Sequence, residues 1–195
     1  MSRIDWLVTT LLKLAKIDSG AITLNKNTES LEKLVNNSIE PLEIMLELKG
    51  IHISKDVSGN FAGDLSWTCE AVSNILKNCA EHMQQETHYT DKNDDNIGNI
   101  NEECINEKSG NGEINIKASE NAIYSELIIK DNGKGIDKDD LPYVFERFYK
   151  GKNSGKQSYG IGLALARTII TNQNGTIKAE NNPEGGACFT IRIYK

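Results

Sequence analysis

Several features that assign a chain to a common class are missing from this sequence. Its 195 residues contain no run of about 18 apolar residues, which a membrane-spanning helix needs, and no signal-peptide pattern. The formal net charge is −6, so the basic excess typical of nucleic-acid-binding proteins is absent. The four cysteines form no Cys-x-x-Cys pair and show no metal-ligand spacing with the three histidines. These absences favour a cytoplasmic protein with reduced thiols and argue against a nucleic-acid partner.

The first residues are typical of an amphipathic helix. Residues 3–19 lead to Gly20, a residue that commonly ends helices. Apolar side chains recur with heptad spacing at Ile4, Leu7, Leu11 and Leu14. Two heptads are too few to predict a coiled coil. The helix therefore either packs on its own domain or forms the end of a longer dimerising hairpin.

The remainder of the chain predicts a mixture of helices and strands. We expect a short strand at 21–24, a long helix at 28–50 interrupted near Pro41, and a strand at 51–57. A further helix, two strands, a helix that begins with glycines and a final two-stranded hairpin complete the pattern. Helices followed by adjoining strands favour an α+β fold. The predicted architecture is a two-layer α/β sandwich, with a mixed β-sheet and helices on one face, preceded by one N-terminal helix.

Residues 84–112 differ in composition from their surroundings. They are rich in asparagine and acidic residues and almost free of apolar ones, as expected of a polar surface insertion. Asp91, Asn93, Asp95 and Glu102 occupy four positions of a calcium-binding EF-hand loop. Asn96 stands where that loop needs glycine, and the flanks lack apolar helix faces. The pattern therefore favours a surface loop over a calcium site.

Two glycine pairs suggest a ligand site. The strand at 124–130 runs into "DNGKG", so Asp131 is followed by Gly133 and Gly135. A carboxylate at the end of a strand can accept a hydrogen bond from an exocyclic amine such as that of adenine, and glycines let a flat base approach. Gly160 and Gly162 precede a helix, where free backbone N–H groups suit phosphate. Each motif alone is also a common turn.

Two asparagines strengthen the hypothesis. Asn74 and Asn78 lie four residues apart on a predicted helix and therefore share a face. An amide oxygen is a hard ligand suited to Mg²⁺, which usually accompanies nucleotide phosphates. The structural alternative for a single helical asparagine is a solvated side chain.

Taken together, the motifs resemble the ATP-binding catalytic domain of bacterial two-component sensor histidine kinases. "EAVSNILKNCAEHM" resembles the N box of that family, "DNGKGI" its first glycine box, "VFERFYKG" its F box and "YGIGLALA" its second glycine box. "NPEGGACFTIRI" is similar to the closing hairpin, and "LLKLAKIDSGAITL" to the end of the dimerisation hairpin. The resemblance implies a hairpin end at 1–20 and a catalytic domain at 21–195 that contains the insertion.

The resemblance also implies roles for individual residues. Asn78 would bind Mg²⁺ with Asn74 beside it, and Asp131 would bind the adenine amine of ATP. Residues 137–159 would form a lid over ATP, anchored by Phe145 and Phe148. The nucleotide-binding residues that it implies are Asn74, Asn78, Asp131, Gly133, Gly135, Ile136, Phe148, Lys150, Gly160, Ile161, Gly162 and Leu163, with Asn78 as the metal ligand.

The chain departs from the family pattern in several places. Glu81 stands where many members have a phosphate-contacting lysine, and Tyr159 replaces a glycine. Ala187 lacks a hydroxyl that is common after the glycines of the closing hairpin. The phosphoacceptor histidine, usually followed by an acid and an arginine, has no counterpart here, so we identify no catalytic residue and expect a fragment that does not phosphorylate itself.

The resemblance implies an enzyme that transfers the γ-phosphoryl group of ATP to a histidine on the missing helix. Its partners would be that phosphoacceptor hairpin, a response regulator and a second subunit in a homodimer, with the full-length protein anchored in the cell membrane. Another ATPase of the same superfamily is one alternative, and an anti-sigma-factor-like protein kinase is another. Asn74 stands where gyrase-type ATPases have a glutamate general base, which argues against the first alternative.

Overall fold

The computed structural model describes residues 3–83, 112–151 and 159–195, with side chains from residue 5 onward. The insertion at 84–112, including the EF-hand-like pattern, lies outside the described residues apart from Gly112. The helices are α1 (Arg3–Asp18), α2 (Leu31–Ile39), α3 (Glu43–Leu48), α4 (Leu65–His82) and α5 (Gly162–Asn172). The strands are β1 (Asn27–Ser30), β2 (Ile51–Val57), β3 (Asn60–Gly63), β4 (Gly112–Glu120), β5 (Tyr124–Asp131), β6 (Gly175–Asn181) and β7 (Ala187–Tyr194).

A five-stranded mixed sheet forms one layer of the fold. Its strand order is β2-β4-β5-β7-β6, and a separate two-stranded sheet pairs β1 with β3. The β2–β4 pair is parallel, whereas the other three pairs of the large sheet are antiparallel. Strand β5, which ends at Asp131, is therefore the central strand of the sheet. The predicted mixed sheet is confirmed.

The helices form the second layer. Alternate residues of β4, β5 and β7 are buried, so one face of the sheet is covered by apolar side chains from α2, α4 and α5. The shared core includes Leu34, Ile75, Leu76, Ile129, Leu165 and Phe189, each at most 1% exposed. Burial on one face, with partly exposed residues on the other, confirms the predicted two-layer sandwich.

Helix α1 packs on this domain by one side only. Leu14 and Ile17 are buried in the common core, whereas Val8, Leu11 and Leu12 are exposed. The sequence left open whether this helix packs on its own domain or forms the end of a longer hairpin. The structure confirms that it packs on the domain. Within the described residues, no helix combines the length and the apolar character that crossing a bilayer requires.

Two expectations about residues 21–50 were wrong. Residues 21–24 form no regular structure, and the predicted helix at 28–50 begins only at Leu31. Residues 27–30 pair instead with β3, a short strand that the sequence did not reveal. The Ser30 hydroxyl caps α2 by accepting bonds from the N–H groups of Glu32 and Lys33. Long-range strand pairing therefore outweighs the local helical preference of this segment.

Pro41 interrupts the helical region as expected. Helix α2 ends at Ile39, a 3₁₀ turn occupies Glu40–Leu42, and α3 follows. Proline has no N–H to continue the α-helical pattern, which explains the interruption.

Candidate functional site

The first part of the site lies at the end of β5, and we call it the base end: Asp131, Gly133, Gly135, Asn181 and Gly186. The Asp131 side chain is only 6% exposed. Its Oδ1 atom accepts hydrogen bonds from the N–H groups of Gly133, at 2.9 Å, and Ala187, at 3.1 Å. Two backbone donors on one oxygen fix the orientation of the carboxylate, and such donors stabilise a negative charge.

Asn181 holds the turn that contains the first glycine pair. Its Oδ1 atom accepts from the N–H of Ile136 at 2.7 Å, and its Nδ2 atom donates to the Ile136 carbonyl at 2.6 Å. Gly135 has φ +73°, and a Cβ atom there would lie 2.8 Å from Asn181 Oδ1. Only glycine fits both conditions. Sequence reasoning missed Asn181, although its position at the end of β6 and opposite Ala187 places it beside Asp131.

The closing hairpin approaches Asp131 from the other side. Gly186 has φ +83°, and a Cβ atom there would overlap the Asp131 carbonyl group. The glycine-rich hairpin therefore lets two backbone segments come into contact directly beside the carboxylate. Ala187 lacks the hydroxyl noted above, but its backbone N–H still contributes to the base end.

A buried thiol adjoins the same carboxylate. Cys79 of α4 is 1% exposed, and burial together with the negative charge of Asp131 raises the pKa of its thiol well above the usual value. The thiol therefore remains protonated and uncharged at neutral pH. Cys79, Cys69 and Cys188 all carry free thiols.

The second part of the site lies between α4 and the start of α5, and we call it the phosphate end: Asn74, Asn78, Phe148, Gly160 and Gly162. Asn74 Nδ2 donates to the Glu70 carbonyl at 2.8 Å. Its Oδ1 atom is 3.1 Å from the place where a Cβ atom of Gly162 would lie. The asparagine face of α4 therefore meets the second glycine box directly. Asn78 lies one turn further along α4 and is partly exposed.

Gly160 links the F box to the second glycine box. Its φ is +68°, its carbonyl accepts from the N–H of Phe148 at 2.8 Å, and a Cβ atom would overlap the Tyr149 carbonyl. Ile161 is buried and Leu163 packs against the core, so α5 begins from a fixed point. The first backbone N–H groups of a helix have no partner within it, and they can donate to an anion.

The two phenylalanines of the F box behave differently. Phe145 packs against the core as expected, whereas Phe148 is 61% exposed and has φ +64°. Anchoring of a lid by the two rings stays a prediction, and the exposed Phe148 ring does not contribute to it by burial. Its left-handed backbone conformation instead directs its N–H to Gly160.

The charged residues near the phosphate end include Glu81, the acid that departs from the family pattern. Glu81 lies 3.8 Å from Lys77, one turn earlier on α4. Lys150 Nζ lies 5.7 Å from the centre of the Tyr159 ring. Among the described residues, no group of three His, Cys, Asp or Glu side chains could hold a metal ion.

The sequence of the chain matches one protein family over more than half of its length. The model of the histidine kinase-, DNA gyrase B- and HSP90-like ATPases matches residues 63–195. The chain belongs to this ATPase family. The matched region contains every residue of the base end and of the phosphate end.

Individual relatives of this ATPase domain are sensor kinases. The chain is 26% identical over 198 residues to the sensor protein SrrB of Staphylococcus aureus, a match that covers 99% of the chain but 30% of SrrB. It is similar in structure to the Acinetobacter baumannii histidine kinase AdeS, with a TM-score of 0.70 and 21% identity. That match covers 97% of this chain and 77% of AdeS. The full-length ShkA structure, in complex with AMPPNP, matches with a TM-score of 0.71 and 18% identity. That match covers 96% of this chain and 35% of ShkA. The expected ATP-binding catalytic domain of the sensor histidine kinase type is confirmed.

Proposed function

We propose that this domain binds Mg²⁺ and ATP between the base end and the phosphate end, and transfers the γ-phosphoryl group to a histidine on a dimerisation hairpin. The observation that carries the proposal is the fixed Asp131 carboxylate at one end, with Asn74 against Gly162 at the other. The chain spans about 30% of the length of the sensor proteins that it matches, so the activity of the whole protein is part of the proposal.

At the base end, Asp131 would accept a hydrogen bond from the exocyclic amine of adenine. Its Oδ1 atom is already engaged by two backbone donors, so its orientation is set before a nucleotide arrives. Gly133 and Gly135 leave space for the flat base, because a Cβ atom at either would come within 3.1 Å of Asp131 or Asn181. Ile136, which is held by Asn181, would line the same pocket.

At the phosphate end, the backbone from Gly160 to Leu163 would donate to phosphate oxygens at the start of α5. Phe148 and Lys150 would contribute from the F box, and Ile161 would fix the start of the helix through its burial. Asn78 would hold the metal, with Asn74 beside it. When bound, Mg²⁺ would supply positive charge that offsets the charge of the phosphates.

Phosphoryl transfer needs positioning and charge neutralisation more than acid–base chemistry. We therefore assign no catalytic acid or base to this domain. The partners would be the phosphoacceptor hairpin, whose end we assign to residues 1–20, a response regulator and a second subunit of a homodimer. Residues 21–195 would form the catalytic domain in the cytoplasm, in a full-length protein anchored in the cell membrane.

The surroundings of Glu70 favour transfer to a protein over hydrolysis of ATP. Asn74 occupies the position at which a water-activating glutamate would be needed, and the nearest acid one turn earlier is Glu70. The Glu70 carboxylate lies 2.9 Å from Lys13 of α1. An acid neutralised by a lysine is a poor general base.

Calorimetry with MgATP tests the nucleotide site. Asp131→Asn should weaken binding by about 1–3 kcal/mol, because the adenine amine loses its charged acceptor. Asp56→Asn, on the exposed part of β2, is the matched control and should bind as the wild type does. If Asp131→Asn bound MgATP as tightly as the wild type, Asp131 would not be a residue of the base pocket.

Incubation with labelled ATP and Mg²⁺ tests the transfer. The domain alone should carry no acid-labile phosphate, because His52 lies in β2 and His82 ends α4, whereas the acceptor belongs to a hairpin helix. A separately produced acceptor hairpin should become labelled in trans. Stoichiometric phosphohistidine at His52, His82 or His88, or rapid release of phosphate without an acceptor, would contradict the assignment.

A further inference from the structure

Two lysines and two aromatic rings contact one another in the order Lys77, Trp6, Tyr159 and Lys150. Lys77 Nζ of α4 lies 5.0 Å from the centre of the Trp6 ring of α1. The Trp6 ring stacks on Tyr159, with centroids 6.0 Å apart and an interplanar angle of 27°. Lys150 Nζ lies 5.7 Å from the centre of the Tyr159 ring. We call this arrangement the lysine–aromatic column.

The column adjoins the phosphate end through its neighbours in sequence. Lys77 immediately precedes Asn78, and Tyr159 immediately precedes Gly160. Lys150 follows Phe148 by two residues, and the Phe148 N–H is bonded to the Gly160 carbonyl. Both ammonium groups are therefore carried by segments that also carry residues of the phosphate end.

The contacts of Lys77 are weak enough to be exchanged. Its side chain is 40% exposed, and its ion pair with Glu81 spans 3.8 Å between equally exposed partners. A cation over an exposed aromatic ring is held only weakly. Phosphate oxygens form stronger, charge-assisted hydrogen bonds with ammonium groups. A triphosphate near Asn78 would therefore attract Lys77 away from the ring and from Glu81.

We propose that Lys77 is a phosphate-binding residue of this domain, positioned by the Trp6–Tyr159 pair, which Lys150 also contacts. The inference rests on the proposed function. It supplies the positive charge that is missing at position 81, where Glu81 would repel phosphate. It also gives Tyr159, which departs from the family pattern, a role in placing both lysines.

Lys77→Met tests the proposal, because it keeps the length of the side chain and removes the charge. Calorimetry on the 195-residue chain should show binding of MgATP about tenfold weaker, the loss expected for one charged contact, with binding of adenosine unchanged. Lys77→Arg should stay within about threefold of the wild type for MgATP, because its guanidinium also binds phosphate. Lys117→Met, which removes an exposed lysine from β4, is the control and should change neither ligand's affinity.

Equal MgATP affinity of Lys77→Met and wild type would overturn the inference, as would an equal loss for MgATP and adenosine. Failure of the proposed function looks different, since the wild type would then bind neither ligand. Fluorescence gives a second measurement in a Trp67→Phe background, in which Trp6 is the remaining tryptophan. MgATP should change the Trp6 emission and adenosine should not, and Lys77→Met should remove that change. An identical response in both proteins would also overturn the proposal.

Discussion

The base end and the phosphate end are held in place by different kinds of contact. At the base end, Asp131 is fixed by the backbone N–H groups of Gly133 and Ala187, and every partner belongs to the ATPase fold. Around the phosphate end, helix α1 contributes long side chains, with Trp6 on Tyr159 and Asp18 on Arg147. The base end is therefore a property of the sheet and its hairpin, whereas the phosphate end also depends on a helix that precedes the matched family region.

This difference predicts where substitutions will be severe. Backbone contacts in a packed hairpin cannot move without distorting the sheet, so changes to the hairpin glycine at the base end should act on folding and binding together. Exposed side-chain contacts near the phosphate end can rearrange at small cost, so changes there should act mainly on the coupling between α1 and the site.

The largest effect is expected from Gly186→Ala. The methyl group would overlap the Asp131 carbonyl, and the positive φ of +83° adds backbone strain. We expect the free energy of unfolding to fall by at least about 3 kcal/mol, from strain and overpacking combined. Gly185→Ala is the matched control, since its φ is +106° but a Cβ atom there meets nothing within 4 Å.

Urea unfolding of both variants provides the measurement. Gly185→Ala should lose only the strain contribution, about 1–2 kcal/mol. If the two variants lost the same stability, the close approach of Gly186 to Asp131 would not be what makes glycine necessary there.

A smaller effect is expected from Asn181→Ala. The change removes both hydrogen bonds to Ile136 and leaves the turn at Gly135 unsupported. Because these bonds are exposed, we expect stability to change little but MgATP affinity to fall by about 1–2 kcal/mol. Asn182→Ala is the control, because the bond from the Asn182 backbone N–H to the Gly186 carbonyl remains. Unchanged affinity in Asn181→Ala would show that the turn keeps its shape without the side chain.

The sequence predicted the base end better than the phosphate end for a physical reason. An acid at a strand end followed by Gly-x-Gly is a local pattern, and local backbone geometry places Asp131, Gly133 and Gly135. The support from Asn181 was missed because it comes from 45 residues further along the chain. Strand β3 was missed because a four-residue strand leaves almost no periodic signal.

At the phosphate end, the sequence motifs indicated the candidate residues but did not predict which side chains surround them. Phe148 was expected to anchor a lid, and that role stays a prediction; its ring is exposed, and its backbone adopts a left-handed conformation that phenylalanine rarely takes. The stack of Tyr159 on Trp6 joins residues 153 positions apart, and no spacing rule links such distant aromatic residues. Lys150 was expected to reach the phosphates, and that role stays a prediction.

The contact between Tyr149 and Asp140, near the phosphate end, should make the stability of the domain depend on pH in the alkaline range. The Tyr149 hydroxyl donates to Asp140 Oδ1 at 2.7 Å, and this bond, followed by burial and the charge of Asp140, raises the Tyr149 pKa to about 12. The unfolded value is about 10, so the raised pKa contributes stability that is complete below pH 10 and is lost as pH rises through 12. The difference in melting temperature between wild type and Tyr149→Phe should be constant up to about pH 10 and shrink above it. A difference that stays constant to pH 12 would show that the phenol titrates alike in both states.

The smallest effect is expected from the ion pair between α1 and the F box. Arg147 lies 2.7 Å from Asp18, but the two side chains are 47% and 40% exposed. Solvent and salt screen such a pair, so a double-mutant cycle with Arg147→Ala and Asp18→Ala should give a coupling energy below about 1 kcal/mol in stability. The coupling should shrink further when the ionic strength is raised, because the pair is exposed. The cycle can be repeated within the sheet that carries the base end, with Arg192→Ala and Glu126→Ala, whose side chains, 2.6 Å apart, join the neighbouring strands β5 and β7. If the α1 pair coupled more strongly than this strand pair, α1 would be as firmly built into the domain as the hairpin is, and the contrast between the two ends would fail.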